Sequence, residues 1–304
     1  MFLTRRRLLQ SSVSLVGAAF AGALPVRAAG VAERAIPSSG ERLPLVGLGS
    51  WITFNVGNDK VALNRSTAVI DAFFIAGGRM IDCSPMYGSS QRTIGYALQK
   101  LAYPRALFSA EKVWASDVSA GSAQMRTTLL RLGAAKFDLM QIHNLLAWQG
   151  HLTTLRKLKA NGALRYIGIT TSHGRRHADI ERILKTEAID FVQVTYNMLD
   201  REVEDRILPL AREHGVAVII NRPFQRGALL SRLEPHALPD WVAETGAQSW
   251  AQFLLKFVIS HPAVTCAIPA TTQIAHVREN LAASVGALPD EAVRKRMVDY
   301  VLQL

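Results

Sequence analysis

Residues 45–51 read Leu45-Val46-Gly47-Leu48-Gly49-Ser50-Trp51, a short apolar run ending in two spaced glycines. The choice of fold turns on whether a third glycine completes the pattern. A doubly wound nucleotide-binding sheet needs that third glycine for the phosphate turn after its first strand. Gly47-Leu48-Gly49-Ser50 does not continue to one. Seven more strand-like runs come later in the chain, at 79–83, 106–112, 139–143, 166–170, 191–194, 217–221 and 264–269. Segments with helical spacing stand between them, at 66–76, 91–101, 123–132, 152–160, 179–184, 203–214 and 250–260. This alternation, repeated eight times, predicts an α/β chain folded as a (β/α)8 TIM barrel.

Ahead of the first strand, residues 34–45 form two short extended pieces around Ser38-Ser39-Gly40-Glu41. They read as an N-terminal β-hairpin closing the bottom of the barrel. Ser89 and Ser90 mark one helix start, and Ser119 or Ser122 is expected to cap the next. With no linker, short repeat or low-complexity segment, residues 29–304 read as one domain.

The first 28 residues read differently. Thr4-Arg5-Arg6-Arg7-Leu8-Leu9 precedes an apolar run at 13–24, and Val26-Arg27-Ala28 offers small residues before a cut after Ala28. The run is too short to span a bilayer and suits a signal-peptide core. The arginine pattern fits a twin-arginine export signal, so residues 1–28 are read as a twin-arginine signal peptide and the protein is expected in the periplasm. No later stretch is long and apolar enough for a transmembrane helix. The formal net charge of +11 includes four arginines from this segment. The remaining Lys and Arg are scattered, without the aromatic-interleaved stripe of a nucleic-acid binder. Cys83 and Cys266 each sit in an apolar strand run and are expected to be unpaired core thiols.

In a parallel barrel every strand ends on one face, so residues about thirty positions apart meet there. Asp82, Lys112 and His143 end the second, third and fourth strands, and Tyr87 lies just past Asp82. A phenol with an ordinary pKa of about 10 is a poor acid at neutral pH, and a neighbouring ammonium is expected to lower it. Lys112 can supply that charge, and Asp82 can keep Lys112 protonated. His143 can donate a hydrogen bond to a substrate oxygen or relay a proton. Together they suit protonation of an oxygen that gains negative charge, as carbonyl reduction requires. No His-x-His follows the first strand and no carboxylate–histidine set gathers at the rim, so no metal site is expected.

At this point the sequence resembles the aldo-keto reductase family over nearly all of residues 29–304. GLGSW is similar to the family's GLGTW, and IDCSPMYGSSQRTIGYAL to its signature ID-x-x-x-x-YG-x-x-E-x-x-x-G-x-AL. EKVW resembles TKVW, and LMQIHN the L-x-x-x-H motif. The resemblance implies a catalytic tetrad of Asp82, Tyr87, Lys112 and His143, with Tyr87 as general acid. It also implies a nicotinamide dinucleotide cofactor, NADPH by family preference with NADH as the alternative, and an aldehyde or ketone substrate.

By the same resemblance Thr170, Thr171 and Gln193 stand at the carboxamide. Asn221 takes the place of the tyrosine that usually stacks on the nicotinamide, so a ring face is missing there. Pro223, Phe224, Gly227 and Leu229 belong to the loop over the pyrophosphate, where Arg222 or Arg226 can reach a phosphate. Ala270, Thr271, His276, Glu279 and Asn280 fall on the adenine side. Ala270 and His276 replace the Lys and Arg that many members set against the 2′-phosphate, leaving Thr271, Thr272 and Arg278 to compensate. Trp51, Met86 and Trp114, with Asn144, match positions that wall the carbonyl pocket. The chain ends soon after its last helix, which predicts an open site and broad substrate selection. A reductase is the leading reading, and the alternative is an NAD(P)-binding sensor or regulatory barrel with little turnover.

Overall fold

The computed structural model describes residues 30–102 and 106–304, so the export segment at 1–28 lies outside the described residues. Eight parallel strands succeed one another round a barrel: β3 (Leu48–Gly49), β4 (Met80–Asp82), β5 (Phe108–Val113), β6 (Phe137–His143), β7 (Leu164–Thr170), β8 (Phe191–Thr195), β9 (Ala217–Asn221) and β10 (Val264–Ala267). The seam between β3 and β10 is closed by parallel bridges from Val46 to Ala267 and from Gly49 to Ala270. Gly47 N donates to Ala267 O (2.8 Å) and Gly49 N to Pro269 O (2.9 Å). This is what the paired glycines do: a Cβ on Gly49 would lie 2.7 Å from the Ile268 carbonyl oxygen. They admit the last strand to the first.

Strand periodicity divides the interior into layers. The lower layer is apolar, with Met80, Phe108, Leu139, Tyr166, Phe191 and Cys266 in one buried cluster. Ile36 and Leu43 join it from below. They belong to the antiparallel hairpin of β1 (Glu33–Ala35) and β2 (Arg42–Pro44), which plugs the barrel as the sequence predicts. Glu41 in its turn pairs with Arg79 and Arg165 and bonds the Tyr166 phenol. Towards the strand C-termini the inward face becomes polar, with Asp82, Gln141 and Gln193 two residues beyond Met80, Leu139 and Phe191, and Lys112 four beyond Phe108. Outward-facing residues pack under the helices, each buried Leu, Ile or Phe contributing about 1.5–3 kcal/mol. Cys83 and Cys266 are buried and free.

Ten α-helices are described, seven of which overlap predicted segments, most with shifted ends. They are α1 (Lys60–Ile75), α2 (Ser90–Lys100), α3 (Val118–Leu132), α4 (Trp148–Ala160), α5 (His177–Thr186), α6 (Ile207–Glu213), α7 (Ala228–Leu233), α8 (Trp250–Ser260), α9 (Ile274–Ala282) and α10 (Glu291–Val301). The start of α1 is earlier than the apolar spacing suggests because Asp59 accepts from Val61 N and Ala62 N. For α3 the cap is Asp117, which accepts from Ala120 N, rather than the expected Ser119 or Ser122. Ser89 stands at the cap of α2 but turns its hydroxyl to Gly57 N and Asn55. The single helix expected over 203–214 is broken. Pro209 lacks the N–H that would bond to Asp205, and its ring would meet that carbonyl, so α6 starts afresh at Ile207.

Candidate active site

The polar upper layer converges on Asp82. Its Oδ2 accepts from Lys112 Nζ in a fully buried ion pair. Its Oδ1 accepts from Gln141 Nε2 (3.1 Å) and Gln193 Nε2 (2.8 Å). Lys112 also donates to the Cys83 carbonyl (3.1 Å). Taking both charges out of water is costly, and these added bonds are what make a buried pair tolerable. Burial works against the Lys112 ammonium, but Asp82 and Tyr87 together hold its pKa above the ordinary lysine value.

Tyr87 lies over this pair. Lys112 Nζ is 5.3 Å from the centre of its ring, and the ring meets His143 edge-on at 5.8 Å between centroids. The four predicted residues are therefore together. Their electrostatics differ from the expectation in one respect. Burial pushes the Tyr87 phenol up to about 12, and the pull of Lys112 in the other direction does not overcome it. The phenol stays protonated, and the ammonium serves the phenolate only once the proton has left. Burial, helped by Lys112, pushes the His143 imidazole down to about 3, so it is neutral at physiological pH.

A cleft of about 660 Å³ opens above these groups. Its lining includes Asp82, Tyr87 and His143 with the predicted Trp51, Met86, Asn144, Thr170, Thr171, Gln193, Asn221, Pro223, Phe224, Gly227 and Ala270. Asn221 is held by the ends of the two preceding strands: its Oδ1 accepts from Thr195 Oγ1 (2.6 Å) at the end of β8 and its Nδ2 donates to Thr171 O (2.9 Å) just past β7. Gln193 spends both amide hydrogens on Asp82 and Gln141, and its oxygen accepts from Thr170. Six of the predicted binding residues lie outside this lining. Trp114 is exposed, its backbone bonded to Gln124, and Leu229 is buried in α7. Thr271 accepts from Gln273 N and bonds His276 at the start of α9, with Glu279 and Asn280 further along the same helix.

Sequence reasoning passed over three groups. Gln141 is one, although it lies two residues before His143 on the same strand face. Ser84 is another, with Oγ 2.8 Å from His143 Nδ1. The third is the His-Gly-Arg-Arg run after β7, which puts His173, Arg175 and Arg176 on the cleft wall. Arg176 pairs with Asp179. Arg175, Arg222 and Arg226 line the cleft with no carboxylate ion pair among the described residues. Burial and the neighbouring Arg226 and Arg175 push Arg222 down to about 10. Asp82 is the one carboxylate of the lining, and it is taken by Lys112. A cationic wall without counter-ions fits a ligand with several phosphate charges. Among the described residues, no group of three or more His, Cys, Asp or Glu could hold a metal ion.

A barrel with this tetrad at the ends of its second to fourth strands defines a class of carbonyl oxidoreductase, and comparison with known proteins identifies the family. Residues 45–296 match the Aldo/keto reductase family, and the chain belongs to it. It is thereby an NAD(P)H-dependent reductase of aldehyde or ketone carbonyls. Methylglyoxal reductase YeaE of Escherichia coli (strain K12) is 29% identical over 259 residues, covering 82% of this chain and 89% of that protein. An NADH-specific methylglyoxal reductase of the same organism is 26% identical over 231 residues, covering 65% and 68%. Among solved structures, an aldo/keto reductase of Klebsiella pneumoniae in complex with NADP and acetate superposes with a TM-score of 0.73 at 25% identity, covering 86% of this chain and 93% of that one.

Proposed function

We propose that the chain is an exported reductase of small aldehydes and ketones in which Tyr87 gives the proton and the cleft holds NADPH or NADH. The observation that carries this reading is the position of Lys112, salt-bridged to Asp82 and 5.3 Å from the Tyr87 ring. When bound, the dinucleotide supplies the hydride for the carbonyl carbon. Tyr87 supplies the proton for the oxygen, and the phenolate it leaves is balanced by Lys112, whose own charge is fixed by Asp82. His143, neutral and beside Tyr87, donates a hydrogen bond to the same oxygen. Thr170, Thr171 and Asn221 set the nicotinamide end, Arg222 and Arg226 face the phosphates, and the α9 residues Glu279 and Asn280 serve the adenine.

The names of the two bacterial relatives make methylglyoxal, a small oxoaldehyde, the first substrate to try. Export rests on the arginine pair at Arg5 and Arg6 and the apolar run behind it. A twin-arginine route takes folded chains, which suits an enzyme that must close on its dinucleotide first. Carbonyl reduction by Tyr87→Phe decides the mechanism. Loss of turnover with NADPH binding retained supports it, and turnover equal to wild type overturns it.

A further inference from the structure

The hydroxyl of Ser84 is fully buried and takes no part in the proton transfer from Tyr87 or in holding Lys112. Ser84 lies in the loop between Asp82 and Tyr87, and its Oγ is 2.8 Å from His143 Nδ1. That oxygen also accepts from Met86 N (3.3 Å), while the Ser84 carbonyl accepts from Tyr87 N (3.0 Å). One residue thus ties the loop that carries the phenol to the imidazole beside it.

We propose that Ser84 is a positioning residue that selects the tautomer of His143, donating its hydroxyl hydrogen to Nδ1 so that the ring carries its N–H on Nε2. The inference rests on the reading of Tyr87 as proton donor and of His143 as the second donor to the substrate oxygen, and adds the residue that fixes the second. It comes from a count of donors and acceptors. A serine hydroxyl has one hydrogen, and a neutral imidazole has one N–H and one bare nitrogen. Burial keeps His143 neutral, so the Ser84–His143 contact can run in only two senses.

If Nδ1 carried the hydrogen, Ser84 would accept from both His143 and Met86. Its own hydrogen would then face no acceptor in a place closed to solvent, a costly omission. With Nδ1 bare, Met86 N donates to Oγ, Oγ donates to Nδ1, and every group is satisfied. Nε2–H is then left without a protein partner among the described residues, on a ring that lines the cleft beside Tyr87. Two donors meet the oxygen as it gains charge. The other tautomer would turn a lone pair on it.

The tautomer is read on the full-length chain from the imidazole nitrogen resonances of His143, assigned by their loss in His143→Gln. An unprotonated Nδ1 and a protonated Nε2 are expected in wild type and in Ser84→Thr, and a mixture of tautomers in Ser84→Ala. In methylglyoxal reduction, kcat of Ser84→Ala should fall about tenfold to a hundredfold, with the NADPH Kd unchanged and the rate restored in Ser84→Thr. A protonated Nδ1 in the wild type overturns the assignment, as does an unaltered kcat in Ser84→Ala. Failure of the reductase reading is distinguishable. It would show as a wild type inert to carbonyls, whereas the resonances report on Ser84 without any turnover.

Discussion

The Arg226 guanidinium lies 4.2 Å from the centre of the Trp51 ring, joining the loop after β9 to the loop after β3 across the cleft. Arg226 has no carboxylate partner among the described residues, and its other polar neighbour is His173 Nε2 at 3.4 Å. The contact is a cation–π interaction worth about 0.5–1 kcal/mol at an exposed site. It is weak enough to yield when a phosphate competes for the guanidinium.

Arg226→Ala should therefore cost more in nucleotide affinity than in fold stability. A charge-assisted bond to a phosphate is worth about 1.5–3 kcal/mol, so the NADPH Kd should rise by about tenfold or more. The thermal midpoint of the free protein should hardly move. Titration by quenching of tryptophan fluorescence measures the first, and a circular dichroism melt the second. A Kd equal to wild type would remove Arg226 from the phosphate site.

Lys112→Met should be both inactive and unstable. It leaves the Asp82 carboxylate buried with only Gln141 and Gln193 as donors. Breaking one side of a buried pair costs about 3–5 kcal/mol. Lys112→Met with Asp82→Leu removes both charges and should recover much of that loss without recovering turnover. Urea unfolding of the two variants separates the structural cost of the charge from its catalytic use.

The pH dependence has two parts with opposite signs. His143 has a folded pKa of about 3, below the ordinary histidine value. Its contribution to stability is complete above about pH 6.5 and is lost as pH falls toward 3, at no more than about 1.4 kcal/mol per pH unit. Glu111 is the reverse case. Burial, opposed by the Gln91 hydrogen bond and by Lys112, pushes it up to about 7. Its contribution is present below the ordinary carboxylate range and is lost as pH rises through 7. Glu111→Gln should therefore make the protein lose stability more steeply between pH 7 and 5, and His143→Gln less steeply, as followed by urea midpoints. Reduction itself should show no inflection near pH 6.5, and the acid form of Tyr87 should persist until pH approaches about 12.

The barrel was legible because strands buried on both faces read as unbroken apolar runs, and all eight of the runs became strands. Helix starts were less legible. The apolar residues at the very start of α1 and α3, Val61 and Val118, are not buried, and what sets these starts is the capping of the backbone by Asp59 and Asp117 through local bonds. The short α7 buries only Leu229 and Leu233 and offers little pattern, and α9 and α10 went unread because Asn280 and Arg294 put polar residues into their buried stripes. At the site, Asp82, Lys112 and His143 were visible through their phasing to strand ends. The sign of the Tyr87 shift was not, because desolvation depends on how deeply the ring is covered. Ser84 was hidden for another reason. Its partner is 59 residues away on another strand end, and a serine in a loop has no pattern of its own.

Gly49 holds the closure on which every strand-end distance depends, and its replacement tests that closure. Its amide bonds to Pro269 O at 2.9 Å, and an added Cβ would lie 2.7 Å from the Ile268 carbonyl oxygen. The obstruction is backbone, which cannot rotate away as a flexible side chain would. Gly49→Ala should destabilise by about 1–3 kcal/mol, the usual range for overpacking a tight site. Because Ser50 is next in the chain and its Oγ donates to Asp82 O at 2.8 Å, the displaced seam would pull on the strand that carries the carboxylate. Turnover should then fall further than the loss of folded protein accounts for. A melt combined with kcat per folded molecule measures both, and a variant with wild-type values of each would show that the seam has slack.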